Sequence, residues 1–325
     1  MSAAAAVLAI AMGISACGEA EPVDAEDSES TTPAASTTTK ATTTAPKITT
    51  TTTTTLPPLP VMSTYEEQYA LNDDLIGWIT IDGTPIDYPV VQAEDNFYYL
   101  DKDINHEYTK NGSIFADYQC EFTTRTRPAN IILYGHNMRT GPSFAKLTTY
   151  YPWYTGTASL QQYLTSPTVK FDTVWEEGTY KIFGAMFVNT KEEHGEVFKY
   201  YKQRKITSEE EFYTYIAKIM DRSVFYTDVD LEYGDELLTL STCYYPVGQI
   251  DTRFVVFARR VRDGESEEVD TSKAAINYDP LYFDYYYKVM GGKWGGRKWD
   301  TSKVKGFDEY LAAHPISGAA APAVQ

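Results

Sequence analysis

Cysteine is scarce in this chain: three among 325 residues, at Cys17, Cys120 and Cys243. That count excludes a disulfide-stapled scaffold. With no CxxC pair and only four histidines, zinc-type ligand spacing is missing as well, and no metal or cofactor is expected. Basic residues are the minority, 28 Lys and Arg against 45 Asp and Glu, for a net charge of −17. No Lys/Arg stripe supplies the footprint that phosphate binding needs, so a nucleic-acid partner is not expected. The acidic excess reads as solubility. Long apolar runs are lacking too. Residues 3–16, AAAAVLAIAMGISA, fall short of the ~20 apolar residues that span a bilayer comfortably and suit the h-region of a signal peptide.

From Glu19 to about Pro60, side chains that could be buried are nearly missing. Acidic residues give way to TTPAASTTTKATTTAPKITTTTTTTLPPLP, which cannot offset the entropy of ordering and reads as an extended stalk. The apolar run before it ends Ile14-Ser15-Ala16-Cys17. This resembles the lipobox of bacterial lipoproteins, and the resemblance implies acylation of Cys17 and a tether to the membrane. An uncleaved membrane anchor and a plain Ala-rich tail are the alternatives. The expected division is a signal, lipobox-like or anchor segment over 1–17, a stalk over 18–62, one folded domain over 63–262, and a linker with an aromatic and Gly-rich tail over 263–325. The expected location is the extracellular face of the cell membrane, held at the N-terminus.

The folded part is rich in what the stalk lacks. Residues 63–77, STYEEQYALNDDLIG, open with a capping residue at Ser63 or Thr64 and acidic residues in the first turn, a helix start. Short strands are expected over 78–81, 86–92, 113–116, 131–134, 168–171 and 180–188, and two stronger ones over 236–242 and 253–261. Residues 207–221, TSEEEFYTYIAKIMD, are the clearest helix: Thr207 can cap it, and Phe212, Tyr215, Ile216 and Ile219 form one apolar stripe. Many short strands with one inserted helix point to a mostly β, closed barrel. Residues 278–299, YDPLYFDYYYKVMGGKWGGRKW, read most plainly as a strap packed on the barrel or a partly ordered tail. A wall- or membrane-contact patch is the sharper alternative.

Three separated residues carry chemistry. The strand Leu238-Thr239-Leu240-Ser241-Thr242 runs into Cys243, Arg253 opens the next strand ten residues on, and Ile131-Ile132-Leu133-Tyr134-Gly135-His136-Asn137 places a histidine just past a buried strand. A thiol attacks a carbonyl best as the thiolate, which neighbouring imidazolium and guanidinium groups favour. The imidazole can then protonate a leaving amine. Arginine stays charged and can hold a tetrahedral oxyanion. Ser241 shares the Cys243 face of an extended strand, where it either lines a groove or packs. The backbone N–H of Tyr244 is a candidate second oxyanion donor. Asp251 could orient Arg253. Taken singly, each residue is as well explained by packing or by a solvated surface.

Together, TLSTC, the arginine ten residues later and the upstream YGHN resemble the sortase family, over about Tyr65 to Arg262. The stretch YGHNMRTGPSFAKL and the helix over 207–221 are most similar to class B. The resemblance implies an eight-stranded sortase-type β-barrel with N-terminal helices and one inserted helix, and a transpeptidase using His136, Cys243 and Arg253. Cys243 would capture the Thr carbonyl of a pentapeptide sorting motif in a surface protein. An amine from a peptidoglycan precursor or a pilin lysine would then release the acyl group. Position 241 lines the substrate groove in class B members. Two other readings stay open: a cysteine peptidase that gives the acyl group to water, and a non-catalytic exported lipoprotein that binds a ligand through its barrel.

Overall fold

A computed structural model describes residues 57–248 and 250–314; Cys17, the segment over 1–17 and most of the expected stalk lie outside them. The strands are β1 Leu75–Thr80, β2 Asp87–Val91, β3 Ile114–Ala116, β4 Asn130–Tyr134, β5 Thr168–Thr173, β6 Thr179–Asn189, β7 Phe225–Tyr226, β8 Leu237–Cys243, β9 Thr252–Arg260 and β10 Ala275–Ile276. Eight of them close a barrel in the order β1-β2-β3-β4-β8-β9-β6-β5, and β7 pairs with β10 apart from it. Helices are α1 Glu66–Leu71, α2 Gln161–Thr165, α3 Glu209–Arg222, α4 Asp284–Met290 and α5 Phe307–Ala313.

β8 shows why a near-continuous buried run forms a strand here. It lies between β4, to which it runs parallel, and β9, antiparallel to it, and every one of its residues is buried. Alternation divides its side chains between two cores. Leu238 and Leu240 join Val256, Ile131 and Leu133 in the barrel core. Leu237 faces outward with Val255 and Phe257 of β9, into a second core under α3. The predicted stripe of α3, Phe212, Tyr215, Ile216 and Ile219, forms the other side of that core. Burial of each such side chain contributes roughly 1.5–3 kcal/mol.

Two helix starts differ from expectation. Ser208, not Thr207, caps α3: its side chain accepts from the Glu211 N–H, while Thr207 donates both its N–H and its hydroxyl to the Glu211 carboxylate. The first helix is short. Its N-cap is Tyr65, with no side-chain cap bond, and Asn72 is already extended, because Leu75 must begin the pairing with Val91.

Residues 263–314 fold against the barrel as a strap. Asn277 donates to the Ser223 carbonyl at 2.7 Å, Phe283 joins the barrel core, and Trp299, Val304 and Phe307 complete the core under α3. The large apolar side chains that the strap exposes are Tyr278, Val289 and Met290.

Candidate active site

Cys243 and Arg253 face each other across the β8–β9 ladder, the last pair in its register. Since Cys243 is one strand position in phase with Ser241 and Leu237, its side chain leaves on the outer face of the barrel. β4 lies on the other side of β8, with Tyr134 opposite Ser241. The chain then leaves the sheet through Gly135, whose N–H still donates to the Ser241 carbonyl at 3.2 Å. A Cβ at position 135 would stand 2.8 Å from the Phe144 ring and from Ser143 Oγ. The tight exit therefore needs glycine. It delivers His136 to the groove that Cys243, Arg253, Ser241 and Tyr200 also line, a cleft of about 450 Å³. That volume suits a short peptide segment rather than a single ion.

The side chains are held individually. His136 Nε2 lies 2.8 Å from the Leu100 carbonyl. A carbonyl only accepts, so Nε2 carries the proton and Nδ1 is the nitrogen left to exchange one. Arg253 donates from Nη1 to the Asp251 carboxylate and to the Thr252 carbonyl at 3.1 Å. Among the described residues its Nε and Nη2 make no hydrogen bond. Burial opposes the guanidinium charge, but the Cys243 sulfur, Asp251 and Tyr200 outweigh it and hold Arg253 above its ordinary value. Cys243 is 8% exposed. Its carbonyl accepts from Asn137 Nδ2 at 2.7 Å.

The remaining expectations divide. Ser241 lines the groove and shares a 2.7 Å hydrogen bond with the buried Tyr200 hydroxyl. Asp251 does meet Arg253. Tyr244 is placed differently from its expected part in substrate binding. Its N–H donates to the Thr252 carbonyl at 3.1 Å, continuing the sheet, and its ring packs on Tyr151, Phe187 and Phe254. One residue beyond Cys243, alternation turns it away from the groove. Cys120 is buried near the Asn130 carbonyl, and burial pushes its thiol up to about 12, which disfavours the thiolate. Tyr200, the Leu100 carbonyl and the Asn137 amide were not singled out from the sequence. Asn137 alone left a signal, as an amide directly after the histidine. Among the described residues, no group of His, Cys, Asp and Glu is arranged to hold a metal ion, and no helix is long and apolar enough to cross a membrane.

A family model of the sortase domain matches residues 79–261. Sortase B of Listeria monocytogenes is 34% identical over 174 residues, covering 53% of this chain and 64% of that protein. Sortase B of Staphylococcus aureus is 28% identical over 204 residues, 62% of this chain and 76% of that protein. The chain thus spans just under two thirds of the Listeria relative. Among solved structures, a Staphylococcus aureus sortase B–substrate complex aligns with a TM-score of 0.54 at 27% identity, over 62% of this chain and 86% of that one. Sortase B from Bacillus anthracis in complex with AAEK1 aligns with a TM-score of 0.53 at 29% identity, over 64% of this chain and 89% of that one.

Proposed function

This chain belongs to the sortase family, and on that premise we propose that it is a class B cysteine transpeptidase that cuts a sorting motif in surface proteins and joins the acyl part to an amine. The observation that supports this best is the convergence of Cys243, Arg253 and His136 on one peptide-sized groove. The Cys243 thiol gives its proton to His136 Nδ1, and the sulfur adds to the Thr carbonyl of the motif, forming an S–C bond and an oxyanion. Arg253, with Nε–H and Nη2–H uncommitted among the described residues and Nη1 held by Asp251, stabilises that oxyanion. This falls to Arg253 rather than to Tyr244, whose N–H is engaged in the sheet. The C–N bond then breaks as His136 gives a proton to the departing amine. An incoming amine, from a peptidoglycan precursor or a pilin lysine, loses its proton to His136 and displaces the sulfur.

Members of this family act at the cell surface. We propose that the segment over 1–17 exports the chain and holds it at the membrane, through acylated Cys17 or an uncleaved anchor, and that the Thr-rich segment gives the enzyme reach. Incubation with a panel of sorting-motif peptides, read by mass spectrometry, tests the chemistry. A thioacyl adduct at Cys243, absent in Cys243→Ala, and incorporation of an added amine are expected. Adduct without amine in any product would leave a hydrolase. No adduct with any peptide would leave a binding protein.

A further inference from the structure

The parallel ladder between β4 and β8 ends at the bond from the Gly135 N–H to the Ser241 carbonyl. In a parallel ladder the next rung would take the N–H of residue 137 to the carbonyl of residue 243. The donor that arrives there is the side chain of Asn137, with Nδ2 at 2.7 Å from the Cys243 carbonyl. A second side chain does companion work: the Thr242 hydroxyl donates to the Gly135 carbonyl at 2.7 Å. The Cys243 carbonyl is turned toward β4 because, across the hairpin, Tyr244 and not Cys243 bonds to Thr252. Two side chains thus extend the ladder while the backbone itself departs. It folds back at once: Asn137 bridges to Ser143, and the Phe144 N–H donates to the His136 carbonyl at 2.9 Å. His136 therefore sits at the neck of a closed loop, and Asn137 ties that neck to the residue that bears the nucleophile.

We propose that Asn137 is a positioning residue, whose amide fixes the separation of His136 from Cys243 by standing in for a ladder rung. The proposal rests on the transpeptidase reading for its catalytic meaning. The amide hydrogen bond joins the loop after His136 to the end of β8, one rung beyond the last backbone bond of the ladder, and a displacement of about 1 Å between reacting groups can cost on the order of 100-fold in rate. Leu100 orients the ring from one side, Asn137 the backbone from the other.

The test uses the whole chain with Asn137→Leu, which keeps the shape and removes the donor, and Asn137→Gln, which keeps a donor on a longer arm. Two quantities are measured: kcat and KM for cleavage of a captured peptide, and the pH dependence of iodoacetamide alkylation at Cys243, mapped by mass spectrometry so that Cys120 does not contribute. For Asn137→Leu the expected result is a kcat lower by roughly 10- to 100-fold with KM nearly unchanged, a displaced alkylation profile, and partial recovery in Asn137→Gln. An Asn137→Leu variant with the parent alkylation profile, whose lost activity merely follows its loss of folded protein, overturns the proposal. If the parent captures no peptide, the functional reading fails, while the alkylation profiles still decide whether Asn137 sets the thiol's surroundings.

Discussion

The two ends of the β8–β9 pair use the same kind of residue on the same face for opposite purposes. At one end Arg259 stands opposite Leu237, and at the other Arg253 stands opposite Cys243. Arg259 is 1% exposed in its side chain and makes five hydrogen bonds, to the Asp230 carbonyl and carboxylate, the Arg260 carbonyl and both oxygens of Glu265. A guanidinium has five N–H donors, so nothing is left for a ligand. Arg253, 13% exposed, makes two bonds, both from Nη1. The saturated end is also the crowded one: Arg127 and Arg260 share Glu176 and Glu236, and Arg262 meets Asp230 and Asp235. A buried arginine with every donor used is a fastener. One with donors to spare, opposite a thiol and beside a groove, is equipped for chemistry.

The largest test of this contrast is Arg253→Ala. Peptide turnover should fall by on the order of 10²–10³ in kcat, the scale of losing one oxyanion donor, while thermal unfolding stays near that of the parent. Arg253→Lys should recover little, because a point charge cannot replace the planar fork. A variant that keeps its activity would show the two arginines to be alike.

Arg259→Met should invert the pattern. Asp230 keeps Arg262 and Glu265 keeps Lys181, so losing the bonds of Arg259 should cost about 1.5–3 kcal/mol in urea unfolding, with kcat per folded molecule close to the parent value. A large kcat loss at unchanged stability would contradict the division of labour.

Acid should find the fastening end as well. Hydrogen bonds from Arg259 and then Lys181 hold the Glu265 carboxyl well below the usual range. A carboxyl whose folded value is depressed adds stability that is whole above its unfolded value of about 4.3 and is lost as pH falls from there toward the folded value. Glu265→Gln should flatten the pH dependence of unfolding in that window, read by calorimetry from neutral to strongly acid buffers. An unchanged slope would mean that the carboxylate carries none of it.

The smallest expected effect sharpens the functional end. Ser241→Ala deprives the buried Tyr200 hydroxyl of its groove-side partner and should destabilise by about 1–2 kcal/mol in denaturant unfolding. A rise in KM larger than any change in kcat is also expected. No change in KM would make Ser241 a packing residue.

Legibility differed sharply between regions. The strands of the barrel were readable because alternation and β-branched runs are local: Ile131 to Tyr134 and Leu238 to Thr242 carry their own pattern, and the observed β4 and β8 differ only at their ends. Composition over 63–77 shows a helix start but not where the helix ends, because Leu75 is claimed by its partner strand. The strap was readable as a strap, but not the reason for it. Glu265 lies in an acidic stretch that reads as linker, yet it is the residue that saturates Arg259. Nothing in DGESEEVDTSK distinguishes it from its neighbours.

Local sequence dictates that a thiol ends a buried strand, that an arginine opens the next, that a histidine leaves a third, and that Ser241 and Cys243 share a face. Those statements depend on strand periodicity and on a hairpin with a short connection, both local. Tertiary structure decided what holds each of them. The Leu100 carbonyl reaches His136 across 36 residues of chain, and the Asn137 amide reaches Cys243 across 106. Tyr244 lost its place in the groove because its N–H found Thr252. Hydrogen bonds of that span exist only once the barrel closes and sets β4 beside β8. No local pattern encodes them, since the partners that complete them are backbone carbonyls, an acceptor that every residue carries.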